Sequence, residues 1–90
     1  MALSEEVKTI LENLTYEEKQ LILLCEELYD KKWDRFLIDL EERLKGRPYI
    51  FRLVNRIEED IKRVKKLQAI EADYNISLFE HNELIQFRKN

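Results

Sequence analysis

The 90-residue sequence contains one glycine, Gly46, and one proline, Pro48. Glycine supplies positive φ, and proline pre-sets the backbone of tight turns. A chain so poor in both does not suit a loop-rich or many-turned scaffold. It favours long regular elements joined by few connections. The length fits one domain, residues 1–90, and a hydrophobic share of 44% suffices for one small core. Disorder is not expected from a chain this rich in aliphatic and aromatic side chains.

Several function classes are excluded by counts alone. There is a single Cys, Cys25, and a single His, His81, so neither a disulfide framework nor a Cys- or His-based metal site fits within one chain. No cofactor is implied, because a glycine-rich phosphate loop needs more than one glycine. The longest apolar run, Leu21–Cys25, falls far short of the roughly 20 residues that span a bilayer. The start, Met1 to Glu6, has neither the basic residues nor the apolar stretch of a signal peptide. No membrane partner is expected, and the expected location is the cytoplasm.

The net charge of −3 conceals a segregation. Residues 1–42 hold five Lys/Arg against twelve Asp/Glu, whereas residues 43–66 hold nine against three, a net of +6. Residues 67–90 return to −2. Such asymmetry points to an anionic partner. A solvated helix face that happens to be basic is the competing reading.

Along the chain, Leu3, Val7, Ile10, Leu11 and Leu14 recur at helical spacing, with Ser4 placed to cap and Glu5 and Glu6 in the first turn. This N-terminal helix, within residues 1–14, either supplies a dimer element or completes the core. Thr15-Tyr16-Glu17-Glu18 reads as a capping box opening a second helix to about Tyr29, with Leu21, Leu24, Cys25 and Leu28 on its apolar face. A third helix places Trp33, Phe36, Leu37, Leu40 and Leu44 on one side, so Trp33 reads as core. Gly46 is expected to end it in the left-handed conformation, and Pro48 to sit in the first turn of the next helix.

That fourth helix, over 48–66, steps through Ile50, Val54, Ile57, Ile61 and Val64 and carries Arg52, Asn55, Arg56, Glu59, Arg63 and Lys66 on its opposite face. Past Leu67 the pattern alternates: Ile70, Ala72, Tyr74, Ile76 and Leu78 against Ala69, Glu71, Asp73, Asn75 and Ser77. Period two predicts a strand, and a turn at His81-Asn82 pairs like with like in a C-terminal hairpin over residues 69–88. The same tail also fits a helix, because Leu67, Ile70, Tyr74 and Leu78 lie on one helical stripe and Ser77 with Glu80 offers a capping box.

Little here suggests an enzyme. A Cys25–His81 pair is the sole nucleophilic dyad available, and a cysteine amid an apolar helix behaves as a small buried hydrophobe. Neighbouring carboxylates such as Glu26-Glu27 and Glu41-Glu42 do not face one another on a helix.

The stretch from Phe36 to Ile57, a short helix ending in Leu44-Lys45-Gly46 and turning into a basic helix ahead of an alternating pair of segments, resembles the winged helix-turn-helix family of DNA-binding domains. The resemblance covers residues 15–90. It implies a mainly α fold with a C-terminal β-hairpin, and a recognition helix beginning near Pro48 that lies in the major groove of double-stranded DNA. It implies that Arg47, Tyr49, Arg52, Asn55 and Arg56 face DNA, joined along the basic face by Arg63 and Lys66. Arg can pair with guanine, Asn with adenine, and Arg or Lys with phosphate. The hairpin tip near Glu80–Glu83 takes the place of the wing, with Arg88 and Lys89 at its base. Such domains commonly bind as homodimers on two-fold sites.

The function expected on this reading is a small DNA-binding transcriptional regulator. The alternative is an all-α bundle or helical hairpin serving as a protein-interaction module, with Ile50, Val54, Ile57, Ile61 and Val64 as a coiled-coil seam for a partner. The abundance of Glu, Lys, Arg and Ile with scarce Gly is also similar to thermophilic composition.

Overall fold

The computed structural model describes residues 4–46 and 49–80. Within them the chain forms α1 (Glu5–Glu12), α2 (Tyr16–Leu28), α3 (Trp33–Gly46), α4 (Phe51–Tyr74) and a closing 3-10 turn, Leu78–Glu80. There is no strand among the described residues.

The first two helices start where their side chains dictate. Ser4 Oγ accepts the Val7 N–H at 3.2 Å. Thr15 and Glu18 form the expected reciprocal box, with Thr15 Oγ1 accepting the Glu18 N–H and Glu18 Oε1 accepting the Thr15 N–H. α2 ends in a reversal in which both Asp30 and Lys31 take positive φ, 54° and 61°. The Lys31 N–H reaches back to the Cys25 carbonyl at 3.0 Å.

One core holds the elements together. It is built from Val7, Leu11 and Leu14, from Leu21, Ile22 and Cys25, from Trp33, Phe36 and Leu40, from Ile57, Val64, Leu67 and Ile70, and from Leu78 and Phe79. Trp33 is core, as its register implies. α1 turns Val7 and Leu11 inward, so these residues contribute to the core. On α2 the buried face is Glu18, Leu21, Ile22 and Cys25, while Leu24 and Leu28 lie outside it. The α4 seam is only partly covered: Ile57 and Val64 are buried against the chain's own helices, Val54 and Ile61 are half-buried, and Ile50 is exposed.

The expectation of a winged helix-turn-helix fold is overturned in two respects. First, the predicted hairpin over 69–88 does not form: residues 69–74 continue α4, and residues 78–80 make a 3-10 turn. The second half of that hairpin lies outside the described residues. The residues that alternate also sit on the helical stripe Val64, Leu67, Ile70 and Tyr74, and extending an existing helix adds a hydrogen bond per residue with no loop to close. Asn75, at φ 50°, then stops the helix in the left-handed conformation, and the Ile76 N–H bonds back to the Glu71 carbonyl at 3.2 Å.

Second, α3 and α4 form an antiparallel helical hairpin. At one end Trp33 Nε1 donates to Glu71 Oε1 at 2.6 Å and Gln68 Nε2 donates to Asp34 Oδ1 at 2.9 Å. Towards the other, Leu40 and Arg43 share a groove with Leu53, Arg56 and Ile57. α4 therefore lies along α3 and does not project from it as a separate recognition rod. The all-α bundle is the architecture that fits. Gly46 is the last residue of α3 and has no positive φ, and α4 begins at Phe51, beyond Pro48.

Candidate nucleic-acid interface

The seven residues assigned to DNA separate into two groups. Tyr49, Arg52, Asn55 and Arg56 are all exposed, in the turn before α4 and in its first two turns. Arg52 and Arg56 are one helical turn apart, about 6 Å along the axis. Arg47 lies outside the described residues. Arg63 and Lys66 do not join this surface, because each is engaged within the molecule. Arg63 bridges to Asp60 at 3.1 Å and to Glu59 at 3.6 Å. Lys66 Nζ meets Glu18 Oε2 at 2.7 Å.

The Glu18–Lys66 pair explains why Lys66 is held. The Glu18 side chain is only 2% exposed, while that of Lys66 is 58% exposed. Burial pushes the Glu18 carboxyl up, but the Lys66 ammonium and the Thr15 N–H and hydroxyl outweigh it and leave the pKa below the ordinary carboxylate value. Lys66 is the cation that lets a helix-capping carboxylate sit in the interior.

By contrast, Lys45, Arg52 and Arg56 make no ion pair among the described residues. They belong to the stretch 43–57, which holds five Lys/Arg and no Asp or Glu. The start of α4 adds to the positive field. Its backbone ladder opens with the Val54 N–H on the Ile50 carbonyl, no side chain caps it, and no acidic residue occupies its first turn. The N–H groups of Phe51, Arg52 and Leu53 precede that ladder at the positive end of the longest helix.

Two residues of this surface escape a reading from sequence. Phe51 flanks the apolar seam in the pattern, yet it is 76% exposed. Lys45 sits in the last turn of α3, and the helical hairpin keeps it at the same end of the molecule as Arg52. The acid-free run from 43 to 57 is the sequence signal that unites them.

The other candidates carry less. The expected wing places Glu80 in the 3-10 turn, with Arg88 and Lys89 outside the described residues. Cys25 is fully buried, and burial followed by the nearby Glu71 carboxylate pushes its thiol up to about 12. At neutral pH it is a thiol without nucleophilic thiolate character. His81 lies outside the described residues. Among the described residues no cluster of His, Cys, Asp and Glu is placed to hold a metal, and no helix is long and apolar enough to cross a membrane.

Comparison with known proteins finds no family model, no curated protein and no solved structure that matches this chain.

Proposed function

We propose that this chain binds nucleic acid through the connected end of the α3–α4 hairpin. The observation that carries this reading is the set of uncommitted cations, Lys45, Arg52 and Arg56, exposed in an acid-free stretch of an otherwise acidic chain. Phosphate is the ligand such a set fits, and each contact releases a condensed counterion. The acidic remainder repels a polyanion, so docking is confined to one end of the molecule. Asn55, beside Arg52 and Arg56 on the same exposed face, adds a donor and an acceptor for base edges.

The test is anisotropy of a labelled oligonucleotide over a range of salt concentrations. Affinity should fall steadily as salt rises. Arg52→Ala with Arg56→Ala should weaken binding and reduce the slope, whereas Arg63→Ala should leave the slope unchanged, because Arg63 is held by Asp60 and Glu59. Binding that does not respond to salt would overturn the reading.

A second reading, a helical protein-interaction module, is favoured by Leu24 and Leu28. These lie one turn apart on the outer face of α2, both exposed. Paired substitution Leu24→Ser and Leu28→Ser, with oligonucleotide affinity unchanged and a lost partner, would speak for it.

A further inference from the structure

We infer that Tyr49 and Phe51 form a platform on which unpaired bases stack, so that the preferred ligand is single-stranded nucleic acid and not duplex. The inference rests on the nucleic-acid reading above and specifies its substrate class.

Most aromatic side chains of the described chain are packed. Tyr29 stacks on Phe36 with ring centroids 4.5 Å apart, Trp33 on Phe79 at 5.3 Å, and Tyr74 donates its hydroxyl to Glu6. Tyr16 is also exposed, at 62%, with its hydroxyl accepting from Gln20 Nε2, while Tyr49 and Phe51 are the most exposed aromatics at 82% and 76%, with Ile50 between them also exposed. Three consecutive exposed apolar residues make a patch. The charges flanking this patch in the chain are cations only: Lys45 before it, Arg52 and Arg56 after it. A polyanion with flat apolar faces is the chemistry that satisfies both. Bases offer those faces in single strands, loops and ends, where aromatic stacking combines with backbone neutralisation.

Shape weighs against a duplex mode in which α4 lies lengthwise in the groove. A single helix, 10–12 Å across, fits the major groove, which is about 12 Å wide. Here α3 lies along α4, and two helices packed side by side measure roughly 20 Å. The helical hairpin is too broad to enter the groove lengthwise, whereas its tip can meet a flexible strand. The N–H groups of Phe51, Arg52 and Leu53 form the positive end of α4 and adjoin the two rings in the chain, and no side chain caps them.

The experiment uses the full chain, a short labelled oligothymidylate, a duplex of the same length, and the oligothymidylate carrying one 2-aminopurine. The single strand should bind more tightly than the duplex. Tyr49→Ala and Phe51→Ala should each weaken single-strand binding about fivefold or more. Both should leave duplex binding nearly unchanged, and Tyr49→Trp should retain affinity. Stacking should quench 2-aminopurine emission, a signal that phosphate contact alone does not produce. Both rings are exposed, so thermal melts of the variants should match the parent.

Equal or better duplex binding, with the ring variants unaffected and Arg52→Ala with Arg56→Ala weakened, would overturn this inference and leave the nucleic-acid reading standing. No binding to either oligonucleotide would overturn both. Ring-dependent binding to anionic phospholipid vesicles with no oligonucleotide binding would reassign the patch to a membrane surface and overturn both as well.

Discussion

Trp33 Nε1 donates to Glu71 Oε1 at 2.6 Å across the α3–α4 interface, and the second oxygen of the same carboxylate accepts the Leu78 N–H at 2.9 Å. Glu71 thus ties α3 to α4 and holds the closing turn, where Phe79 stacks on Trp33. Charged acceptors make the stronger hydrogen bonds, and removing one leaves its donors without a partner. Glu71→Ala should destabilise the fold by about 2–3 kcal/mol, and Glu71→Gln by less because one acceptor survives. Denaturant unfolding followed by Trp33 emission measures both.

Stability should fall in acid through Glu18. Its folded pKa lies below the ordinary carboxylate value, so the unfolded chain takes up the proton first as pH drops. The contribution is fully present above the unfolded pKa and is lost as pH falls through the folded value. Glu18→Gln should lower stability at neutral pH and flatten this acid limb. Urea midpoints collected from neutral pH down to pH 3 test it.

An alkaline limb should mirror it. Burial, then the hydrogen bond to Asp39, raises the Tyr29 hydroxyl from 10.0 to about 12. The Cys25 thiol rises from 9.0 to about 12 through burial and Glu71. Both groups stabilise the fold below their unfolded pKa values, and the contribution is lost as pH rises towards 12. Tyr29→Phe should make the alkaline loss of stability shallower, and tyrosinate absorbance at rising pH should lose its latest-titrating component.

Gly46 ends α3 in a helical conformation, and a Cβ built there meets nothing within 4 Å. Glycine loses more backbone entropy on folding than alanine does. Gly46→Ala should therefore stabilise by about 0.5–1 kcal/mol, raising the thermal midpoint by roughly 3–6 °C. A circular-dichroism melt decides it.

Lys31 holds φ 61°, a left-handed backbone that costs a side-chain-bearing residue roughly 1–2 kcal/mol. Lys31→Gly removes that strain and adds entropy to the unfolded state, for a net gain of about 0.5–1 kcal/mol. The same substitution at Lys32, which has no positive φ, should destabilise. Parallel melts of the two variants separate the effects.

The helix starts at Ser4 and Thr15 and the core registers of α1 and α3 were legible because local chemistry decides them. A cap is a contact between residues three apart, and an apolar stripe needs only the helical period. The tail was not legible in the same way. Ile70, Ala72, Tyr74 and Ile76 satisfy period two, while Leu67, Ile70 and Tyr74 satisfy the helical period. The choice between them fell to Val64, Leu67 and Ile70 packing into the core and to Glu71 meeting Trp33, 38 positions away in sequence. The candidate site divides similarly. Arg52, Asn55 and Arg56 follow from an amphipathic pattern, but no pattern distinguishes them from Arg63 and Lys66, which internal carboxylates hold.

Sequence alone determined a helix-rich chain with few turns, an acidic body and a basic stretch at its centre, because composition, capping and charge are local properties. Tertiary structure decided that the basic helix lies antiparallel along α3, that the tail joins it as helix, and that Tyr49 and Phe51 stay outside the core. The reason is physical. Which apolar faces become buried, and which cations meet a carboxylate, depends on long-range packing, which a one-dimensional period does not encode.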